Sequence, residues 1–249
     1  MRLQSAVEST SCNSDSAPVP LHLSTKRDFS ELLRSAGMIV TASSIVSVAD
    51  AVEIPSVVAR DDVGFINLNE TEPVVTDVAF MDVQVGDLPV ERIEISLYGT
   101  VVPQTVDNFK SLIESGYKGS DIFRVINTFS IQGGNVGCPT EGIPMSRIGR
   151  YGLAAGGREA FAPENFRINH DSVEGGVVSM MKDLTNKGKQ DSRFFITTSP
   201  NASWADGKYS AFGRVSKGLS VVKGLQVLPT VPPANYPTTR IKIVNCGIL

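Results

Sequence analysis

The sequence predicts a mostly β protein, a closed antiparallel barrel that is capped by α-helices. After residue 73 the apolar segments are short and rich in β-branched residues, which favours strands. Turn residues separate these segments, and only two segments carry apolar residues at helical spacing. Many short strands with few helices are typical of a closed barrel.

The first two strands are expected to form a hairpin. Residues 74–85, VVTDVAFMDVQV, are rich in β-branched residues. In residues 91–99, ERIEISLYG, apolar side chains occupy every second position. Gly86-Asp87 interrupts the pattern where a turn would be needed, so the two segments pair as neighbours.

The next segment, PQTVDNFKSLIESG at residues 103–116, predicts the first helix. Its apolar residues, among them Val106 and Phe109, recur at helical spacing. Pro103 lies in the expected first turn and Gly116 follows the last one, which are favoured places for these residues. The apolar face should cover an end of the barrel.

Residues 121–135, DIFRVINTFSIQGGN, predict a second hairpin with two unexpected polar side chains, Arg124 and Gln132. A three-residue turn at 127–129 would place Arg124 opposite Gln132, whereas a two-residue turn would place it opposite Ile131. Only the first register puts both polar groups on one face, and the sequence leaves both registers open. The alternative to a functional arginine is one that packs its stem at the barrel rim.

The remaining segments complete the predicted barrel. The glycine-rich residues 149–157 are expected to form a long loop, and residues 219–226 a short helix. Four further strands are predicted at residues 175–181, 192–198, 210–215 and 240–247.

The composition argues against several classes of function. The 249 residues carry a net charge of −3 without a basic run, unlike a nucleic-acid-binding protein. Three cysteines without a CxxC motif and two histidines do not supply a zinc site. Neither a nucleophile triad nor a P-loop is present, so we expect no metal and no cofactor.

The sequence also leads to expectations for four further residues, one histidine, one tryptophan and two cysteines. His170, beside Asp171, is expected on the surface or in a loop. Trp204 is expected either in the core or at the rim, and composition favours the core. Cys138 and Cys246 either pair in an oxidising compartment or remain free thiols, since their separation in sequence does not fix their distance.

The first 51 residues predict a targeting segment. Residues 36–49 are uncharged, small and apolar, and Ala49-Asp50-Ala51 matches an A-x-A cleavage site. Thirty-five residues precede this core, an order that resembles a bipartite transit peptide to the chloroplast thylakoid lumen. The alternative is a buried helix or strand at residues 36–49. Because a membrane span needs about 20 apolar residues, we expect no stable membrane insertion. Residues 52–73 are interpreted as an extended lead-in.

Several motifs follow one another in an order that is specific when taken together. They are YKGSDIFRVINTFSIQGGN, FAPENF, GGVVSMM, SRFFIT, WADGKYSAFGRV and VNCG. From about Val74 to Leu249 this order resembles the cyclophilin family of peptidyl-prolyl cis–trans isomerases. The resemblance implies an eight-stranded closed barrel with two capping helices, proline-containing polypeptide clients and no cofactor. We expect a monomer.

The resemblance also assigns a site. Its catalytic residues fall on Arg124, Phe129, Gln132 and Phe195, which match the family pattern. The adjoining substrate-binding positions depart from it. The departures are histidine to Phe123, methionine to Ser130, alanine to Met181, asparagine to Lys182, glutamine to Arg193, leucine to Ala205 and histidine to Tyr209.

The residues that match the family pattern suggest a catalytic mechanism, and the residues that depart from it suggest that the catalysis is weaker. The Arg124 guanidinium would bind the prolyl nitrogen more strongly in the twisted amide than in the planar one. Ser130 and Ala205 remove apolar volume from the proline pocket, while Arg193 adds a cation near Arg124. We therefore expect isomerisation that is weaker than with the full set of pocket residues. The alternative is a non-catalytic module or assembly factor that binds proline-containing segments.

Overall fold

The computed structural model describes residues 64–137, 142–150, 152–183 and 187–249. The predicted targeting segment, residues 1–51, and the first part of the lead-in, residues 52–63, lie outside this range. Cys138 lies outside it too. Cys246 is a free thiol whose Sγ donates a hydrogen bond to the Ile113 carbonyl at 3.1 Å.

Eight strands close into an antiparallel barrel, which confirms the predicted fold class. In chain order, the helices and strands of the described residues are β1 Asp77–Val85, β2 Glu91–Leu97, α1 Pro103–Ser115, β3 Asp121–Ile126, β4 Ser130–Gly133, β5 Val177–Asp183, β6 Lys189–Thr197, β7 Ala211–Lys217, α2 Leu219–Leu225, β8 Thr230–Val231, β9 Tyr236–Pro237 and β10 Ile241–Ile248. Around the barrel the strands follow the order β1-β10-β3-β4-β6-β5-β7-β2. Helices α1 and α2 accompany the barrel, and β8 and β9 form a separate two-stranded sheet.

Several strand boundaries differ from the predicted ones by one to three residues, and for two of them the reason is identifiable. Strand β5 begins two residues late, because Gly175 and Gly176 have φ angles of 81° and 87°, which extended strands do not adopt. Strand β6 begins three residues early, at Lys189. There Gln190 exchanges two backbone hydrogen bonds with Phe161, a distant partner that strand periodicity does not reveal.

The barrel interior is the main core. Helix α1 buries Val106, Phe109, Leu112 and Ile113, as its periodicity predicts. The Phe109 ring packs against those of Tyr117, Phe194 and Phe212, with centroid separations from 4.7 to 6.0 Å. Phe194 is fully buried, as expected. This aromatic cluster fixes α1 over the barrel.

The beginning of α1 is capped by a distant side chain. Val102, the N-cap residue, has no side chain that can accept a hydrogen bond. The Glu164 carboxylate instead accepts from the backbone N–H of Gln104 at 3.0 Å and of Thr105 at 2.7 Å. Two otherwise unpaired helical donors are thereby satisfied, and a negative charge lies at the positive end of the helix dipole.

The described part of the lead-in packs on the barrel. Ile66 forms a parallel bridge with Ile168, and Leu68 is buried. The Glu72 carboxylate accepts a hydrogen bond from the Tyr98 hydroxyl at 3.0 Å and pairs with Arg214 at 2.9 Å. Burial and the neighbouring Glu72 charge raise the pKa of Tyr98. In the residues that the structure covers, no helix is long and apolar enough to span a membrane.

The cap on α1 yields a stability prediction. Replacing Glu164 with Ala leaves the Gln104 and Thr105 N–H groups without their acceptor, so unfolding should become easier by about 1–2 kcal/mol. Glu164→Gln keeps one acceptor oxygen and should lose roughly half as much. Urea unfolding measures both, with Glu159→Ala at an exposed position of the same segment as the control. Equal midpoints for Glu164→Ala and the control would contradict the cap.

Candidate active site

A bulge in β3 places Arg124 on the outside of the barrel. Ile122 pairs with Gly133 and Arg124 pairs with Gln132, so Phe123 is an extra residue in the strand. Ile122 and Val125 are buried in the barrel core, whereas Phe123 and Arg124 line an outer cleft. A bulge redirects side chains in this way, and it explains a guanidinium within an apolar strand.

The pairing of neighbouring strands aligns the candidate residues in a row. Arg124 on β3 lies opposite Gln132 on β4, and Gln132 lies opposite Phe195 on β6. The turn therefore contains three residues, and of the two predicted registers the one that joins Arg124 to Gln132 is present. Because directly opposed residues share a face, these three side chains belong to one surface.

The charge of Arg124 is not compensated within the site. No carboxylate of the described residues forms an ion pair with its guanidinium, and its buried Nε has no hydrogen-bond partner there. Gln132 donates from Nε2 to the Ser130 hydroxyl at 3.4 Å, while its buried Oε1 is also without a partner. Unpaired buried polar atoms are uncommon and mark groups that are available to a ligand.

A cleft opens beside these polar atoms. It has a volume of about 320 Å³ and includes four predicted site residues, Phe123, Arg124, Gln132 and Met181. The 145–150 segment and the β8–β9 hairpin supply the other side. Arg124 is thus partly exposed into a concave surface, which an extended chain can enter.

Phe129, Phe195 and Tyr209 form an aromatic cluster with Trp204 on the same face. The Trp204 indole stacks on Phe129, with centroids 4.1 Å apart and an interplanar angle of 15°. It lies 5.6 Å from the Phe195 ring, which also meets Tyr209 edge-on at 5.2 Å. Trp204 is half-buried in this outer cluster, so the favoured core position is wrong and the alternative rim position fits. Sequence reasoning missed it as a site residue, although it directly precedes Ala205.

Comparisons with known proteins agree with this geometry. Residues 80–248 match the family model described as cyclophilin type peptidyl-prolyl cis-trans isomerase/CLD. The chain belongs to this family. It is 36% identical over 197 residues to peptidyl-prolyl cis-trans isomerase B of Saccharomyces cerevisiae, which covers 76% of this chain and 88% of that protein.

Two further relatives carry names of the same kind. Peptidyl-prolyl cis-trans isomerase D of Saccharomyces cerevisiae is 37% identical over 72% of this chain and 75% of its own length. Peptidyl-prolyl cis-trans isomerase H of Rhizopus delemar is 32% identical over 68% of this chain and 93% of its own length.

His170 packs beside the candidate site residue Phe195, and of its two predicted places, surface or loop, only the loop is present. It lies in a loop but is fully buried, with Nε2 2.8 Å from the Ser179 hydroxyl and Nδ1 3.1 Å from the Asp206 carboxylate. Its ring is parallel to that of Phe195 within 15°, at 6.1 Å. Partners from two distant segments satisfy the imidazole, and its immediate sequence neighbours gave no sign of them.

The two small residues of the predicted pocket, Ser130 and Ala205, are completely buried. Ser130 begins β4, where its hydroxyl accepts the hydrogen bond from Gln132, and Ala205 follows Trp204. At these two predicted pocket positions the side chains are smaller than in the full family pattern.

Lys182 and Arg193 have different environments. The Lys182 ammonium lies 4.5 Å above the Phe166 ring and 5.7 Å from that of Tyr209, and burial lowers its pKa. Arg193 is buried and pairs with Asp191 at 2.6 Å, with Asp183 at 3.8 Å. It therefore does not present the free cation near Arg124 that the sequence predicts.

The outward and inward phenylalanines can be distinguished in solution. The chain has one tryptophan, so its fluorescence reports on Trp204 alone. Phe129→Ala removes the stacked ring and should move the emission to longer wavelength. Phe194→Ala empties the barrel core and should cost about 3–5 kcal/mol of stability with little change in emission. Emission spectra and urea unfolding of both variants measure this, and equal spectra for Phe129→Ala and the parent would contradict the stack.

Proposed function

We propose that this chain accelerates cis–trans isomerisation of X-Pro bonds in polypeptide clients, at a rate below that of a family member with the complete pocket. The observation that carries the proposal is the Arg124 guanidinium, which borders an open cleft without a compensating carboxylate among the described residues. The family match and the names of the relatives support the same reaction.

The chemistry requires selective stabilisation of a twisted amide. Rotation about a peptide bond has a barrier of about 18–20 kcal/mol, because resonance is lost. In X-Pro both isomers have similar energy, so lowering this barrier is sufficient for catalysis. The twisted prolyl nitrogen carries a localised lone pair, which the planar amide lacks. A guanidinium N–H that donates to this nitrogen therefore binds the transition state more strongly than the ground state.

Neighbouring side chains complete the proposed mechanism. Gln132 has a free Oε1 for a peptide N–H or for the guanidinium of Arg124, its cross-strand neighbour. The aromatic cluster offers an apolar surface for the proline ring, and its burial excludes water from the reacting bond. Proton transfer and covalent intermediates are not needed in this scheme.

The alternative function, a binding module without catalysis, is favoured by one observation. The Trp204 ring is in van der Waals contact with Phe129, at 4.1 Å between centroids. A proline ring must displace the indole to reach that face of Phe129, and this competition weakens the grip on substrate. A module that binds proline-containing segments elsewhere on the cleft would not need that face of Phe129.

Removal of the Arg124 guanidinium tests the isomerase proposal. In a protease-coupled assay of the full chain, Arg124→Ala should lower kcat/KM by about 10²–10³-fold, the usual loss for one transition-state donor. Arg124→Lys should be intermediate, because an ammonium lacks the rigid fork. Arg92→Ala on β2, whose guanidinium pairs with Asp82 on the neighbouring strand, is the control.

Two outcomes would separate the functions. If the parent chain does not exceed the uncatalysed rate but binds proline peptides, the binding module is correct and the isomerase proposal is wrong. If Arg124→Ala isomerises as fast as the parent, the chain is an isomerase but Arg124 is not its catalytic group.

We also propose delivery to the thylakoid lumen of the chloroplast, with cleavage after Ala51. The support is the uncharged segment 36–49 and the following Ala49-Asp50-Ala51. N-terminal sequencing of the protein from its native compartment should find Val52 as the first residue. An intact Met1 in that compartment would contradict the proposal.

A further inference from the structure

The cleft beside Arg124 has an apolar wall that does not belong to the barrel. The 145–150 segment contributes Met145 and Ile148, and Tyr236 of β9 closes the far side. Facing them on the barrel are Phe123 and Met181, both brought outward where strand pairing is irregular. Among the described residues that line the cleft, the charged ones are Arg124 and Arg150, and none is a carboxylate.

The wall is attached to the barrel through Arg193. This guanidinium donates from Nη1 to the Gly149 carbonyl at 3.2 Å and to the Arg150 carbonyl at 2.8 Å. Its Nε and Nη2 are held by Asp191, at distances from 2.6 to 3.1 Å. Arg193 is 6% exposed and Asp191 is 1% exposed, so this ion pair is shielded from solvent. Charge-assisted bonds in such a place fix geometry well.

An irregular strand produces this attachment. Met180 pairs with Phe194 and Lys182 with Gln190, so three residues of β6, Asp191 to Arg193, face the single Met181 of β5. The extra length lets Arg193 turn back onto the carboxylate two residues before it. The backbone N–H of Arg193 also donates to Asp191, at 2.7 Å.

Two glycines let the wall approach closely. Gly149 has φ +80°, and a Cβ there would overlap the Phe123 ring. A Cβ at Gly152 would lie 2.5 Å from the Ser192 hydroxyl and 2.8 Å from the Asp191 carboxylate. The wall thus contacts the barrel at Phe123 and at the Arg193–Asp191 pair. These two contacts set the distance between the wall and the barrel, and so the width of the cleft.

We propose that Arg193 and Asp191 are positioning residues that hold the 145–150 segment as the wall of a second subsite, which binds an apolar side chain adjacent to the proline. The inference rests on the proposed isomerase function. Continuity with Arg124 and Gln132, which line the same cleft, makes the client polypeptide the occupant. Two guanidinium groups in the lining disfavour lysine or arginine at this position of the client.

The test compares two series of proline peptides with the full chain, in which the residue before or after the proline is Ala, Leu, Phe or Lys. In one of the series, kcat/KM should be about tenfold higher for Leu or Phe than for Ala, because an apolar pocket discriminates by about this factor. In the same series kcat/KM should be lowest for Lys. The double variant Arg193→Gln/Asp191→Asn removes both charges together, so no unpaired ion is left buried. It should reduce this ratio to about two, mainly through KM.

A second readout and a matched pair separate positioning from general destabilisation. Trypsin should cleave after Arg147 or Arg150 faster in the double variant, because the carbonyl contacts are gone. The pair Arg92→Gln/Asp82→Asn, another bidentate ion pair, lies between β2 and β1 and should change neither the ratio nor the cleavage. Equal ratios in the parent and the Arg193→Gln/Asp191→Asn variant would overturn the inference.

Binding constants for the same peptides, from NMR titration, keep the two proposals distinguishable. If the parent chain binds Leu peptides about tenfold better than Ala peptides but does not isomerise them, the second subsite stands and the isomerase proposal is wrong. If it isomerises all peptides with equal kcat/KM and equal affinity, the isomerase proposal stands and the second subsite is wrong.

Discussion

The bulge at Phe123 is the constraint on which the candidate site depends. In a regular strand, Ile122 and Arg124 would point to the same side. The barrel core would then contain a guanidinium or lose an isoleucine, and an unpaired buried charge costs several kcal/mol. One extra residue resolves this conflict, since Ile122 and Val125 both enter the core while Arg124 remains outside. The requirements of the core therefore determine where the functional cation is presented.

Sequence patterns predicted those parts of the molecule whose contacts are regular. Helix α1 and the β1–β2 hairpin follow directly from periodicity. Motif order placed Arg124 and Gln132 in one candidate site, but their direct cross-strand pairing was one of two open registers until the structure showed it. The sheet of β8 and β9 was not predicted, because a two-residue strand is too short to show a periodic sequence pattern. The environments of His170, Trp204 and Arg193 were not predicted correctly, for a related reason. Each lies in a loop, a three-residue 3₁₀ helix or an irregular strand, where side-chain direction depends on distant partners such as Asp206 or on a bulge.

The two arginines near the cleft illustrate opposite uses of a guanidinium. In Arg193 the carboxylate of Asp191 and two carbonyls of the wall engage Nε, Nη1 and Nη2, so this side chain has little left to offer a substrate. Arg124 has a buried Nε without a partner, and no described carboxylate lies within ion-pair distance. A cation that is already neutralised stabilises structure, whereas one that is held without a counter-charge can respond to a developing lone pair. Sequence alone presents both simply as arginines near apolar residues.

In the proposed mechanism, the side chains at the predicted proline pocket link the departures from the family pattern to the expected weakening of activity. Ser130 and Ala205 are fully buried, and the Trp204 indole packs on Phe129 nearby. A proline ring must exchange that aromatic contact for its own, and the exchange occurs on binding, before the amide twists. Interactions lost equally from the bound ground state and the transition state raise KM and leave kcat unchanged. The arrangement of Arg124 and Gln132 is untouched by this exchange, so under the proposed mechanism we expect the altered pocket to weaken client capture more than the rotation step itself.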